Sequence, residues 1–200
     1  MEGKDRFLLV CDRKDLVIKS GYCRLRDKYD IPDENIIFWK NQPTEDDIRA
    51  ISSISRNQRL CIVAHGDSDC KGIAAKPHDS SNRHVKTEKK SASDVADKLS
   101  EMGLREAGIL RFESCFSSSE FLHDFHNAAK DRGINFGYIS GYEGALASSI
   151  FRPGKPTGVS LHVPQRMREK MTPESIQKYN DILSIPNGHF FLSQKNYQVQ

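Results

Sequence analysis

Short apolar runs alternate with longer amphipathic segments along most of this chain, and that alternation limits the fold more than any other feature. Parallel strands need a crossover connection, usually a helix, so the alternation predicts an α/β sandwich with a mostly parallel sheet. The expected architecture has three layers, α/β/α. Strands are predicted at residues 7–11, 36–39, 60–64, 107–112 and 134–140, and helices at about 14–28, from Thr44, at 93–104 and from Ser117 to Arg132. Capping boxes are expected at Thr44–Asp47 and Ser117–Glu120. The expected buried stripe of the first helix is Leu16, Ile18, Tyr22 and Leu25.

Size and composition are those of an ordinary globular protein. The 200 residues suit a single domain (1–200), with residues 151–200 as a candidate appended C-terminal lobe. A net charge of +3 is too small to argue for a nucleic-acid partner. No apolar run approaches the roughly 18 residues of a membrane span, and the N-terminus lacks the pattern of a signal peptide. A loop at 152–158, a strand at 159–163 and a helix from Thr172 are expected in the last third.

The five cysteines are odd in number and have no paired spacing. This pattern favours a reducing compartment over a disulfide framework, and a secreted effector that acts in a host cytoplasm would have the same pattern. Cys11 and Cys61 lie inside apolar runs and are expected to be inert core thiols.

Two reactive residues stand at strand ends. His65 follows the run 60–64, and Cys115 follows the run 107–112, with one predicted helix between them. Consecutive parallel strands bring their carboxyl ends to one edge, so these residues are expected to share a crevice. A histidine and a helix beginning near 117–119 both favour a thiolate, and Gly66 allows a sharp turn and a close backbone approach.

Alternative interpretations of these residues have less support than a catalytic pair. A cysteine is commonly buried as a small hydrophobic residue, and a lone histidine is often a surface residue. A protein tyrosine phosphatase needs an arginine after five residues that follow its cysteine, and this chain has Phe121 at that position. Residues 137–141 do not have the Gly-x-Ser-x-Gly spacing of an α/β-hydrolase. Metal-ligand patterns do not match either. The potential metal ligands whose spacings fail these patterns are His65, Asp67, Asp69, Cys70, His78, His84, His123 and His126.

The segments Ile-Val-Ala-His-Gly (62–66) and Leu-Arg-Phe-Glu-Ser-Cys (110–115) resemble the motifs of caspase-like (clan CD) cysteine peptidases. The self-cleaving protease domains of RTX toxins and bacterial effectors are the most similar in size and share a polar insertion after the histidine. The resemblance covers about residues 58–140. It implies that Cys115 is the nucleophile, that His65 is the base, and that Gly66 and the Cys115 amide form the oxyanion hole.

Four further residues near His65 and Cys115 are candidates for supporting roles. Ser114 fits the small residue that the family has before its cysteine and is taken as a substrate-binding position. Glu113 is unusual beside a thiolate. It could orient His65 or bind a basic substrate side chain, but the favoured interpretation is that it faces solvent. Loops 67–90 and 140–152 are expected to border the cleft, with Asp67 and Glu143 as polar specificity contacts. Within the first loop, residues 71–75 are a candidate small hairpin.

The toxin domains are activated by inositol hexakisphosphate in a basic pocket, so the resemblance implies that ligand as a candidate activator. The candidate basic groups here are Lys89, Lys90, Arg152 and Lys155. Converging lysines and arginines bind phosphate through charge-assisted hydrogen bonds, although a solvated charged face is the commoner reason for such clusters.

The sequence therefore predicts a cysteine endopeptidase that cleaves a protein or peptide substrate through a thioester, in the cytoplasm or as a secreted effector or toxin. The alternative is a non-catalytic caspase-like or CHAT-like module that binds proteins.

Overall fold

A computed structural model gives the fold and describes residues 4–66, 69, 71–79, 87–115 and 117–141. In this part of the chain a five-stranded sheet consists of β1 (Arg6–Val10), β2 (Ile36–Phe38), β3 (Arg59–Val63), β7 (Glu106–Glu113) and β8 (Asn135–Ser140). The helices are α1 (Leu16–Tyr29), α2 (Glu45–Ser52), α3 (Ala92–Glu101) and α4 (Ser119–Asp131). A three-stranded sheet consists of β4 (His65–Gly66), β5 (Ile73–Ala75) and β6 (Glu88–Lys90).

The large sheet has the strand order β2-β1-β3-β7-β8, and every neighbouring pair is parallel. All five carboxyl ends therefore lie along one side of the sheet, which we call the carboxyl edge. The chain moves from β1 out to β2 and then returns past β1 to β3. The strand order thus reverses between β1 and β3, where open α/β sheets bind their ligands.

Helices cover both faces of the sheet, because successive strand residues point to opposite sides. In β3, Leu60 and Ile62 belong to the core cluster that also contains residues of α2, α3 and α4. Cys61 and Val63 belong to a second cluster that they share with α1. The predicted α/β/α sandwich with a mostly parallel sheet is confirmed.

Side-chain caps fix where the helices begin. Thr44 and Asp47 form a capping box at α2, as the sequence predicts, and Ser91 does the same for α3 with Asp94. The capping box predicted at Ser117–Glu120 is wrong, because the helix begins one residue later and Phe121 occupies the third helical position. The cap of α4 is Ser118, whose hydroxyl accepts the Phe121 N–H at 3.1 Å.

One expected core residue of α1 is exposed. Ile18, Tyr22 and Leu25 are buried as predicted, whereas Leu16 is 74% exposed. Leu16 precedes Ile18 by two residues, or about 200° of helical rotation at 3.6 residues per turn. It therefore lies on the opposite side of the helix from the buried stripe.

The segment after His65 contains more regular structure than the predicted loop. The short apolar stretch at Ile73–Ala75, predicted as part of a small hairpin, is a strand that pairs antiparallel with both β4 and β6. The sequence of β6 is Glu-Lys-Lys, which has no apolar alternation to reveal it. Residues 67, 68, 70 and 80–86 of this segment lie outside the described residues.

Four predictions also lie outside the described residues, namely the loop at 152–158, the strand at 159–163, the helix from Thr172 and the lobe at 151–200. Among the helices that the structure does describe, none has the length and apolar character needed to cross a membrane.

Candidate active site

His65 and Cys115 meet at the carboxyl edge, just beyond the ends of the adjacent parallel strands β3 and β7. Val63 of β3 is paired in register with Glu113 of β7, so each residue lies two positions beyond the same pair. The Ala64 N–H continues this pairing to the Glu113 carbonyl at 3.4 Å. The structure therefore brings together the two residues that the sequence predicts as a catalytic pair.

Gly66 fits against the backbone of Cys115. A Cβ added to Gly66 would lie 1.5 Å from the Cys115 carbonyl oxygen, which is far inside van der Waals contact. Only glycine allows this approach of β4 to the turn after β7. The contact fixes the His65–Gly66 segment beside Cys115, where the resemblance to caspase-like peptidases implies the oxyanion hole.

His65 contacts a carboxylate that the sequence reasoning did not select. Its Nε2 lies 3.0 Å from Oδ1 of Asp15, and its side chain is 40% exposed. Asp15 is the N-cap of α1, and the same Oδ1 accepts the backbone N–H groups of Val17 at 2.8 Å and Ile18 at 3.0 Å. Three donors therefore converge on one carboxylate oxygen.

These donors keep Asp15 ionised. Burial raises the pKa of the Asp15 carboxyl, but the Ile18 amide, the nearby His65 and the Val17 amide together outweigh burial and hold the pKa below its ordinary value of 3.8. A signal for Asp15 is present in the sequence, because an aspartate just before a helical stripe is a typical N-cap. What the sequence did not reveal is that β1 and β3 are neighbours, which places this cap beside His65.

Ser114 is enclosed within the turn that carries Cys115. Its side chain is buried, and its hydroxyl oxygen lies 2.6 Å from that of Ser117, which is buried too. The Ser117 hydroxyl also approaches the Ser114 carbonyl at 3.2 Å. The side chain of Ser114, a predicted substrate-binding position, is therefore enclosed in the turn between β7 and α4, where it supports the backbone.

The favoured expectation for Glu113 is wrong. Its side chain is only 9% exposed and pairs with Arg111, whose Nε lies 2.8 Å from Glu113 Oε1. The two residues are two positions apart on β7 and so share a face of the sheet, the face of Cys61 and α1. The arginine compensates the charge of a carboxylate that would otherwise be costly to bury.

Cys115 differs from the core thiols of the same sheet. Cys11 and Cys61 are buried, as predicted. Burial, followed by the neighbouring Glu113 carboxylate, raises the pKa of Cys61 to about 11, and burial also raises the pKa of Cys11. Cys115 is half-buried and lies three residues before the cap of α4. A helix N-terminus favours a nearby anion.

Only two of the basic residues predicted to bind polyphosphate lie in the described part. Lys89 pairs with Asp69, and Lys90 Nζ lies 2.7 Å from Glu88 Oε2. A polyanion would therefore have to displace both carboxylates to bind these two lysines. Four predicted site residues lie outside the described ranges: the specificity contacts Asp67 and Glu143 and the basic residues Arg152 and Lys155.

Within the described ranges, no group of three or more His, Cys, Asp or Glu residues is arranged to hold a metal ion. No protein-family model matches the chain, and no curated protein sequence matches it either. The geometry of the site is therefore the basis on which a function can be assigned.

Proposed function

We propose that this chain is a cysteine endopeptidase that cleaves a protein substrate through Cys115 and His65. The observation that carries the proposal is the meeting of these residues at the ends of adjacent parallel strands, with Gly66 against the Cys115 backbone. The partial exposure of both residues leaves room for a substrate at the carboxyl edge.

In the first half of the reaction, the imidazole of His65 takes the proton of the Cys115 thiol. The thiolate sulfur attacks the carbonyl carbon of the scissile peptide, and the carbonyl π electrons move to its oxygen. When the tetrahedral intermediate collapses, the C–N bond breaks. The leaving amine takes the proton from the imidazolium, and the acyl group stays on Cys115 as a thioester.

In the second half, His65 removes a proton from a water molecule, and the resulting hydroxide attacks the thioester carbonyl. The C–S bond then breaks, the product leaves as a carboxylic acid, and the proton on His65 returns to the sulfur. Each half needs one group that alternates between base and acid, and this is the role proposed for His65.

The negative oxygen of both intermediates needs donors at fixed positions. The proposed donors are the backbone N–H groups at Gly66 and Cys115, on the two segments that the glycine contact holds together. The N-terminus of α4, three residues beyond Cys115, adds a favourable dipole for the thiolate and the oxyanion.

The resemblance to caspase-like peptidases extends the proposal beyond the chemistry. By that resemblance the enzyme would act in the cytoplasm of its own cell or, as an effector or toxin, in that of a host. Inositol hexakisphosphate is proposed as an activator at Lys89, Lys90, Arg152 and Lys155. Because Lys89 and Lys90 are already paired with carboxylates, no step of the mechanism depends on that ligand.

Cleavage of fluorescently labelled, unfolded casein tests the proposal, with and without inositol hexakisphosphate. We expect cleavage by the wild-type chain and a loss of roughly 100-fold or more in Cys115→Ala and His65→Ala, the usual size of a lost acid–base or nucleophilic group. Cys23→Ala is the matched control, because Cys23 is also half-buried but lies on α1. Equal activity in Cys115→Ala, or no cleavage in either arm, would support the protein-binding alternative.

A further inference from the structure

We propose that Asp15 is a positioning residue for His65, holding the imidazole in the tautomer that carries its proton on Nε2, so that Nδ1 is the basic nitrogen. The catalytic consequence rests on the proposed function, but the tautomer itself does not. The observation is the 3.0 Å contact between Asp15 Oδ1 and His65 Nε2.

A carboxylate has only acceptors to offer, so the imidazole nitrogen that faces it must donate. Nε2 of His65 therefore carries hydrogen, and in the neutral ring Nδ1 is left with the lone pair. Only that nitrogen can accept the proton of a thiol. The contact thus selects which atom of His65 acts as base, as the aspartate of a serine-protease triad does for its histidine.

Asp15 is suited to this task because it is itself held in place. Its Oδ1 accepts two N–H groups from the first turn of α1, and that helix packs on the sheet through Ile18, Tyr22 and Leu25. A ring oriented from a capped helix has less rotational freedom than one oriented by a mobile loop. The residue combines a structural role with the proposed positioning role.

Asp15 also offsets an electrostatic cost. The N-terminus of the 14-residue helix α1 carries a partial positive charge, which disfavours an imidazolium nearby. The Asp15 carboxylate lies between that helix end and His65. It therefore stabilises the protonated ring that the reaction needs after the thiol has lost its proton.

Two neighbouring carboxylates are already engaged with other partners. Asp12 accepts the backbone N–H groups of Lys14 at 3.0 Å and Asp15 at 3.1 Å. Glu113, which the sequence offered as a residue that could orient the histidine, pairs with Arg111. Of these three acidic side chains, Asp15 is the one in contact with the imidazole.

A second histidine supplies an internal reference. Nε2 of His78 lies 3.0 Å from a guanidinium nitrogen of Arg13, and a guanidinium can only donate. Nε2 of His78 is therefore the acceptor, and its proton is on Nδ1. His65 and His78 are expected to be opposite tautomers in one protein.

The test is ¹⁵N NMR of the imidazole nitrogens at mildly alkaline pH, in the full chain with Cys115→Ala so that no chemistry contributes. We expect His65 to be protonated on Nε2 and His78 on Nδ1. In the same Cys115→Ala background, the second substitution Asp15→Asn keeps an oxygen acceptor and should preserve the His65 tautomer. The second substitution Asp15→Ser introduces a side chain that still caps the helix but is too short to reach the ring, so His65 should become a mixture of tautomers. Arg13→Gln should change His78 alone.

The catalytic part is tested with Cys115 present, through the pH profile of its alkylation by iodoacetamide. Asp15→Asn removes the charge that stabilises the imidazolium, so the rate near pH 6 should fall about tenfold while the rate near pH 9 changes little. A role confined to capping predicts no change, because asparagine caps as well as aspartate.

Each result has a separate meaning. An unchanged tautomer in Asp15→Ser, or an unchanged pH profile in Asp15→Asn, would overturn the positioning role. If Cys115 of the wild-type chain alkylates no faster than Cys23, the proposed function fails instead, whatever the tautomer of His65.

Discussion

The turn after β1 and the turn after β7 are built alike but present different chemistry. Each contains a buried polar residue that holds the backbone, Asp12 in the first and Ser114 in the second. Each ends in a side-chain cap that starts a helix, Asp15 in the first and Ser118 in the second. The first cap offers its carboxylate to a histidine, whereas the second turn carries a cysteine.

The difference arises from the strand between them. β3 lies between β1 and β7, and it continues past the carboxyl edge into the small sheet instead of into a helix. His65 is therefore held between the two turns, with Asp15 on one side and the Cys115 segment on the other. Similar local turns thus acquire different proposed roles from their positions relative to one strand.

The largest effect in this comparison is expected from Gly66→Ala. The added methyl would overlap the Cys115 carbonyl oxygen, so β4 and the turn after β7 must move apart. We expect the free energy of unfolding to fall by about 3 kcal/mol or more, the upper end of the usual cost of overpacking, because the overlapped atom belongs to the backbone. Activity should fall by roughly 100-fold or more, since a displacement of about 1 Å is enough for that loss.

Gly21→Ala is the matched control, measured by urea unfolding beside Gly66→Ala. A Cβ at Gly21 would meet Val63 Cγ1 at 3.5 Å, an ordinary contact. Alanine in a helix interior is favoured over glycine by about 1 kcal/mol, so this variant should be as stable as the wild-type chain or more so. Equal stability of the two variants would refute the close packing of Gly66 against Cys115.

A smaller effect is expected from the serine pair of the second turn. Ser117→Ala leaves the buried Ser114 hydroxyl without its partner, which costs about 1–3 kcal/mol, whereas Ser114→Ala should cost less because the Ser117 hydroxyl keeps the Ser114 carbonyl as an acceptor. The double variant should cost less than the sum of the two, because no hydroxyl is then left unpaired. Urea unfolding of all four proteins gives this cycle, and strict additivity would show that the two hydroxyls do not interact.

The sequence predicted the central sheet well because its strands are nearly continuous apolar runs, which mark buried parallel strands. It failed at β6, where three charged residues pair with β5 and leave no hydrophobic pattern. It also failed at Leu16, where helical rotation places an apolar residue outside the core.

The candidate site was predictable in part for a similar reason. His65 and Cys115 each end an apolar run, so a parallel sheet is enough to bring them together. Asp15 was missed because its contact depends on β1 and β3 being neighbours, which follows from the order of strands and not from any local pattern. Glu113 was misjudged because its pairing with Arg111 depends on side-chain packing on one sheet face.

The central claim is that His65 activates Cys115, and the most direct measurement is the iodoacetamide alkylation rate of each cysteine at pH 7, resolved by mass spectrometry. An ordinary thiol is only a few per cent thiolate at that pH, so an activated Cys115 should react at least about tenfold faster than Cys23. Cys61, whose pKa is raised to about 11, should remain unlabelled in the folded chain. The account predicts that His65→Ala slows Cys115 to the rate of Cys23. Equal rates for Cys115 and Cys23 in the wild-type chain, or an unchanged Cys115 rate in His65→Ala, would contradict it.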